Sequence, residues 1–352
     1  MQSYKIFSRI LPTNEAYGFE MEDYWVWCGS AILGEDGRYH LFSACWSKER
    51  PFFNGYITSS EIVHASSDTP FGPYHFENVV LGDRGEEYWD GRMTHNPSIV
   101  KYGDTYALFY IGSTYRGKRP SGEELYAGRP KCIDECYRNI KIGIATSKSV
   151  YGPWERRDEP IFDVDPNSWD STVVTNPAPC VLSDGSVFMY YRSNTPQGLK
   201  IGVARADDFF SPFERISKKP IFEMYPNLIV EDPFVWQNGD HIELIAKDIN
   251  GLTCGEKWGG IHMLSRDGIH FEPAEDIQAY SRTLRFQDGT KKTAFHLERP
   301  NIMFKNGHPA FICAAYGVEG APLPPFGNPN FDTMVRTKTL IIPLQMDSDL
   351  EG

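Results

Sequence analysis

His95-Asn96-Pro97-Ser98-Ile99-Val100-Lys101-Tyr102-Gly103-Asp104 opens a paragraph of sequence that this chain repeats. A polar pair precedes a proline, a short apolar run follows, and Gly103-Asp104 is a turn signal. Tyr106-Ala107-Leu108-Phe109-Tyr110 then reads as a second strand. Ile140-Lys141-Ile142-Gly143-Ile144-Ala145-Thr146 alternates as a half-buried third strand should. Tyr151-Gly152-Pro153-Trp154 turns into a last short one.

The opening phrase recurs as Cys28-Gly29-Ser30-Ala31-Ile32, Thr175-Asn176-Pro177-Ala178-Pro179, Glu231-Asp232-Pro233-Phe234-Val235 and Glu298-Arg299-Pro300-Asn301-Ile302. With the His95 copy, successive starts lie 67, 80, 56 and 67 residues apart. Similarity at such a spacing marks a repeat architecture. Each copy leads into the same order of turns and strands. Four short antiparallel strands per repeat, five times over, predict an all-β fold: a single-domain five-bladed β-propeller spanning residues 1–352. Two packed β-sandwiches are the competing arrangement, but they would not require five matching paragraphs.

Two segments depart from the pattern. The fifth repeat is short of one strand, and Tyr4 to Ile10 is the segment expected to supply it and close the ring. Residues 114–139 interrupt the second repeat with Gly, Pro and five Lys or Arg before Cys132. An insertion of that length at that place reads as a lid over the pocket mouth.

Composition narrows the partners. Aromatic residues make up 14% of the chain, with 31 Gly and 25 Pro, which favours strands and turns. Flat rings also stack on sugars, although core packing is the ordinary role of any one of them. A net charge of −12 argues against a phosphate backbone as partner, and against anionic membranes. No apolar run reaches the ~18 residues of a membrane helix. The expected partner is an oligosaccharide or terminal sugar, with no nucleic acid and no membrane; the oligomeric state stays open. Met1 to Leu11, with Lys5 and Arg9, lacks an apolar signal core, so a cytoplasmic location is expected unless a leader has been removed.

Seven Cys form no disulfide framework. Cys132 and Cys136 lack a second Cys/His pair nearby, so free thiols in a reducing compartment are expected rather than zinc. No cofactor is expected, and a metal on the axis, such as calcium, is left open.

In a propeller the innermost strand of each blade starts near the axis. One ring then holds Cys28, His95, Thr175, Glu231 and Glu298, with Trp27 beside it. The next ring holds Gly29, Asn96, Asn176, Asp232 and Arg299. Successive strand residues face opposite ways, so the ten are not expected to share one pocket. Six residues upstream of the second ring stand Asp23, Asp90 and Asp170, each close to a Trp. Such a carboxylate suits sugar hydroxyls; a turn-capping Asp is the alternative.

Carboxylates crowded near an axis repel, which raises the pKa of one and makes it a usable acid. Glu231, Asp232 and Glu298 offer that crowding, and Asp90 or Asp170 is the candidate base. His95 and His296 read as substrate-binding groups, metal ligands or an acid, or as ordinary hydrogen-bonded core residues. Arg299 and Arg192 read as fixed partners of the carboxylates, or as readers of an acidic sugar.

The repeat layout and the run Val230-Glu231-Asp232-Pro233-Phe234 resemble the five-bladed propeller glycoside hydrolases, family 43 and its relatives. The match to that family's fourth-blade Glu-small-Pro-aromatic motif implies that Glu231 is the proton donor. The family's first-blade and third-blade Asp-Pro pairs fall on Gly29-Ser30 and Asn176-Pro177, so neither carboxylate is in its column. The expected function is a glycoside hydrolase cleaving a terminal glycosidic bond by general acid/base catalysis in the axial pocket. A non-catalytic carbohydrate-binding propeller is the alternative, as is a phosphorylase or lyase on the same scaffold.

Overall fold

The computed structural model describes residue 1 and residues 3–346. Blade 1 consists of Tyr24–Leu33, Tyr39–Ser47, Glu61–Ser67 and His75–Leu81, paired in that order. Blade 2 is Met93–Tyr102, Thr105–Ser113, Lys141–Ser147 and Glu155–Arg156. Blade 3 is Thr175–Val181, Val187–Thr195, Gly198–Ala206 and Glu214–Arg215. Blade 4 is Val230–Asn238, His241–Asp248, Gly260–Ser265 and Glu272–Tyr280. Blade 5 has three strands, His296–Lys305, His308–Glu319 and Met334–Pro343. All ladder pairs are antiparallel, because tight turns such as Gly103-Asp104 can connect only antiparallel neighbours.

The core is a set of wedges between neighbouring blades. One wedge joins Phe109, Ile142 and Ile144 of blade 2 to Met189, Tyr191 and Ala204 of blade 3. The next joins Ile201 and Val203 to Leu244, Ile261 and Met263. Blade 5 meets blade 1 through Cys313 and Ile341 against Val26, Leu41 and Val63. The inner strands bury residues on both sheet faces, so the blades stack and no single strand is self-sufficient.

Ring closure differs from the sequence expectation. Tyr4 to Ile10 does not form a strand; Phe7–Arg9 is a single 3₁₀ turn. The chain meets the outer strand of blade 5 and the residue after it at two isolated bridges, Phe19 to Thr339 and Ile10 to Leu344. Pro12 lies between them without an N–H to give, which helps keep the contact from running on as a ladder. Thr13 Oγ1 supplies a side-chain bond instead, 2.6 Å to the carbonyl of Ile341.

The insertion is packed structure. It forms helices Gly122–Ala127 and Lys131–Arg138, the first opened by a capping box between Ser121 and Glu124. Ile133 and Cys136 are buried, and the Cys136 thiol donates to the carbonyl of Ile57 at 2.8 Å. That carbonyl belongs to helix Phe52–Ser59 of blade 1, so the insertion braces a wall beside the axis.

Candidate active site

All five innermost strands carry the same backbone irregularity. Cys28, Asn96, Asn176, Asp232 and Arg299 have φ of 57°, 53°, 54°, 57° and 50°. Among residues with a side chain, Asn and Asp adopt this left-handed region most readily, so Cys28 and Arg299 are strained. At each one the pairing with the second strand slips, as between Trp27 and Ser30 or between Glu231 and Phe234. A bulge of this kind re-aims side chains. Two consecutive residues per blade therefore face the axis, and the expected alternation fails at the place where it would have divided the rings.

The structure also corrects the register of the first repeat by one residue. Cys28, not Gly29, shares the left-handed position, so Trp27 and Cys28 stand level with His95 and Asn96. Gly29 is covered instead: a Cβ there would collide with the side chain of Thr339. The column where the resemblance places a first-blade carboxylate is thus occupied by Cys28. The ten axial residues are Trp27, His95, Thr175, Glu231 and Glu298 above Cys28, Asn96, Asn176, Asp232 and Arg299. All ten line one hollow of about 440 Å³.

The lower row is a hydrogen-bonded belt. Cys28 Sγ donates to Asn96 Oδ1 at 2.9 Å, and Asn96 Nδ2 to Asn176 Oδ1 at 2.7 Å. Asn176 Nδ2 donates to Asp232 Oδ1 at 2.5 Å, and the Arg299 amide to Asp232 Oδ2 at 3.0 Å. Burial, and then the charge of Glu231, raise Asp232 to about 7. Burial pushes the Cys28 thiol well up, so at neutral pH it is a donor and not a thiolate.

The upper row holds two carboxylates that share one ammonium. Lys247 stands directly across the ladder from Glu231 and places its ammonium 3.1 Å from Glu231 Oε1 and 2.5 Å from Glu298 Oε1. Those two oxygens therefore can lie no farther apart than the sum of the two distances. Burial opposes ionisation of Glu298, but Lys247 and then His296 outweigh it and hold this carboxyl well below the usual range. Burial likewise opposes the charge on Lys247, and Glu298 and Glu231 overcome it. His296 Nδ1 is 2.7 Å from Glu298 Oε1, and Nε2 meets the carbonyl of Asn330. Glu231 is the more accessible acid, its side chain 18% exposed against 8% for Glu298.

His95 has a different task. Its Nδ1 is 2.8 Å from Ser60 Oγ, and burial, reinforced by Arg299, lowers its pKa to about 3. A neutral ring stacked on Tyr56 results, with centroids 4.7 Å apart.

The walls are aromatic. Phe52, Phe53 and Tyr56 come from the blade 1 helix, Tyr137 from the insertion and Phe331 from the crossing before the last strand. Trp258 is set by a loop folded round Asp248, which accepts the amides of Gly251, Thr253 and Cys254. Lys257 and Arg282 lie 4.8 Å from the centroid of its ring. Ring faces beside clustered carboxylates and cations suit a polyhydroxylated ligand with apolar C–H faces. At the other mouth of the axis lies an apolar hollow of about 640 Å³, lined by Ile32, Tyr102, Phe234 and Phe304 and by no carboxylate.

Asp90 and Asp170 do not reach the hollow, which corrects their candidacy as base. Both are fully buried. Asp90 accepts from Arg84 Nε at 2.6 Å and from the Tyr110 hydroxyl at 2.8 Å. Asp170 accepts from Tyr191 and Arg215, both at 2.8 Å. Trp89 and Trp169 stack on those same tyrosines rather than on an open site. Asp23 is exposed. Glu231, Glu298, His95, Asn96, Asn176, Asp232, His296, Arg299, Trp27 and Arg192 are all brought to the hollow.

Sequence reading missed Lys247, Trp258, Cys28 as a belt member and the Phe52–Tyr56 wall. Lys247 left one signal, a cation ending the apolar run Ile242-Glu243-Leu244-Ile245-Ala246. Among the described residues no group of three or more His, Cys, Asp or Glu is placed to hold a metal.

Fold and site together define a five-bladed propeller with a carboxylate-bearing axial pocket. Solved structures of that fold include glycoside hydrolases of families 43 and 117. Zg3597, a family 117 glycoside hydrolase produced by the marine bacterium Zobellia galactanivorans, superposes with a TM-score of 0.68 at 16% identity, covering 99% of this chain and 94% of its own. BT0996, solved as a complex with RGII, gives 0.64 at 13% identity, covering 97% and 93%. A thermostable family-43 glycoside hydrolase gives 0.59 at 12%, covering 97% and 96%. At these identities the likeness is one of fold. No family model matches the chain, and no curated protein matches it in sequence.

Proposed function

We propose that this protein is a glycoside hydrolase that removes a terminal sugar from an oligosaccharide in the axial hollow. The observation that carries the reading is the pair Glu231 and Glu298, held on one ammonium inside an aromatic-walled pocket of sugar size. Hydrolysis needs a proton donor at the leaving oxygen and a second, ionised carboxylate across the ring. Glu298, kept charged by Lys247 and His296, fits the second role. Glu231, the more open of the two, fits the donor. Asp232 next to it is raised to about 7, by burial and then by the charge of Glu231.

The fold shared with glycoside hydrolases of families 43 and 117 supports the same class of reaction. The test is a panel of chromogenic glycosides. Turnover of at least one, lost in Glu298→Gln and lost in Glu231→Gln with the melting curve of the latter unchanged, is the expected result; equal turnover in wild type and Glu231→Gln would sink the assignment.

One observation favours a second reading. Cys28 and Asn176 occupy the columns where the resemblance expects carboxylates, as a silent sugar-binding propeller would allow. Calorimetry with oligosaccharides that bind tightly and stay intact over days would select it.

A further inference from the structure

Two arginines in the hollow are left incompletely matched by its carboxylates. Arg299 is 4% exposed and lines the cavity. Its Nε and Nη1 have no hydrogen-bond partner among the described residues, and Nη1 stands 4.0 Å from Asp232 Oδ1. Arg192, on the second strand of blade 3 opposite Thr175, also has a buried Nε without a partner among those residues. Its Nη1 is 3.6 Å from Glu231 Oε2, beyond a good hydrogen bond. Arg84 and Arg215 by contrast bond their aspartates at 2.6 and 2.8 Å. An unbonded buried nitrogen also occurs on Arg92, Arg119, Arg156 and Arg282, and what sets Arg192 and Arg299 apart is that they line the hollow. Buried N–H groups left unbonded are costly, more so on a charged group.

The charges in the hollow point the same way. Lys247 is matched to Glu231 and Glu298. With Arg192, Arg299 and Lys257 it makes four cations against the three carboxylates Glu231, Asp232 and Glu298. A cationic excess sits in the pocket of a protein whose net charge is −12. Neutral hydroxyls would leave that excess uncompensated, whereas an oxyanion meets a guanidinium fork with two parallel bonds.

We propose that Arg299 and Arg192 form an oxyanion subsite that receives a carboxylate or sulfate borne by the terminal sugar, so that the substrate is an acidic saccharide. This names the substrate class of the glycosidase proposed above and rests on that reading for turnover, but not for binding.

Calorimetry on the full chain tests it with glucuronic acid, galacturonic acid and galactose 6-sulfate, each against its neutral sugar, and with inorganic phosphate alone. At least one acidic sugar is expected to bind roughly ten- to a hundredfold tighter than its neutral counterpart. Arg192→Gln and Arg299→Gln should erase that preference, each lowering affinity for the acidic sugar by a larger factor than for its neutral counterpart. Arg299 lies on a strained backbone, so Arg192→Gln with an unchanged melting curve guards against a folding artefact. Equal affinity for acidic and neutral sugars, or a preference that survives both substitutions, overturns the subsite. Binding of phosphate alone, lost in the same variants, overturns the acidic sugar and assigns the anion to a free co-substrate. Selective binding without turnover of any glycoside would defeat the hydrolase reading and leave the subsite standing.

Discussion

Blades 2 and 3 carry one kind of buried carboxylate and blades 4 and 5 another. Asp90 and Asp170 each sit beneath a Trp–Tyr stack, bonded to the tyrosine hydroxyl and to an arginine. Glycines make room for the clasp: a Cβ on Gly143 would lie 2.7 Å from Trp89 and Tyr110, and one on Gly202 2.6 Å from Tyr191. Glu231 and Glu298 are also paired with a cation, yet they look into an open hollow. Burial and a charged partner are common to both sets. What separates them is the left-handed bulge, which turns one pair of residues per blade toward the axis and leaves the clasps walled in. Structural ion-pair networks perturb buried groups as functional ones do, so a buried ion pair is by itself weak evidence of function.

Substitution in each set should break the comparison in opposite ways. Glu298→Gln should lose turnover and also melt lower, because it takes an ionised partner from buried Lys247. Glu231→Gln is expected to lower turnover by about 10²- to 10⁴-fold with little change in melting temperature, read from paired kinetics and thermal melts. Asp90→Asn should do the reverse. Leaving Arg84 and Arg156 without their buried partner is expected to cost about 3–5 kcal/mol in urea unfolding, with turnover per folded molecule unchanged. A drop in activity without a loss of stability in Asp90→Asn would return that residue to the site.

Titration sharpens the contrast. Asp232 is raised from its ordinary 3.8 to about 7, first by burial and then by Glu231. A raised carboxyl contributes most to stability below its unfolded value, and that contribution is lost as pH climbs through the folded one. Asp232→Asn should therefore gain on wild type in melting temperature between about pH 4 and about pH 8. A melting-temperature difference that stays constant over that range would count against the assignment. Glu298 has the opposite sign: its contribution is present above the ordinary carboxyl value and is lost on acidification. In Glu231→Gln the Asp232 titration, followed by carbon NMR of its carboxyl, should move down from about 7, because one of its two main causes is gone.

The smallest effect belongs to Cys28. Its thiol donates to Asn96 and is kept protonated by burial, so Cys28→Ser preserves the belt and should change turnover least. For the same reason iodoacetamide should leave Cys28 unmodified in the folded protein at mildly alkaline pH. Rapid alkylation would show a thiolate that these buried surroundings do not support.

Much of the fold was legible because strands and tight turns leave local marks. Tyr102-Gly103-Asp104-Thr105 announces its turn whatever surrounds it, and five such paragraphs imply five sheets. The closure of the ring was read only in part: Tyr4 to Ile10 has strand-like residues, but it forms no strand and meets blade 5 by a bridge at Ile10, with Phe19 beyond the segment making the other. In the site, Glu231, Glu298 and Arg299 were legible because charged residues beside a proline recur at repeat spacing. Lys247 and Trp258 were not, because their role depends on which residues lie across a ladder or over a loop.

The sequence by itself determined the number of blades, the acidic character of the chain and the carboxylates near the axis, since these follow from pattern and composition. Tertiary structure alone decided which carboxylates share the hollow. The deciding force is conformational: five left-handed residues aim two rows of side chains inward, while packed Trp–Tyr pairs seal Asp90 and Asp170 away from it. No spacing in the sequence distinguishes an aspartate beneath a tryptophan from a glutamate beside a cavity, because that difference consists of what other blades place around it.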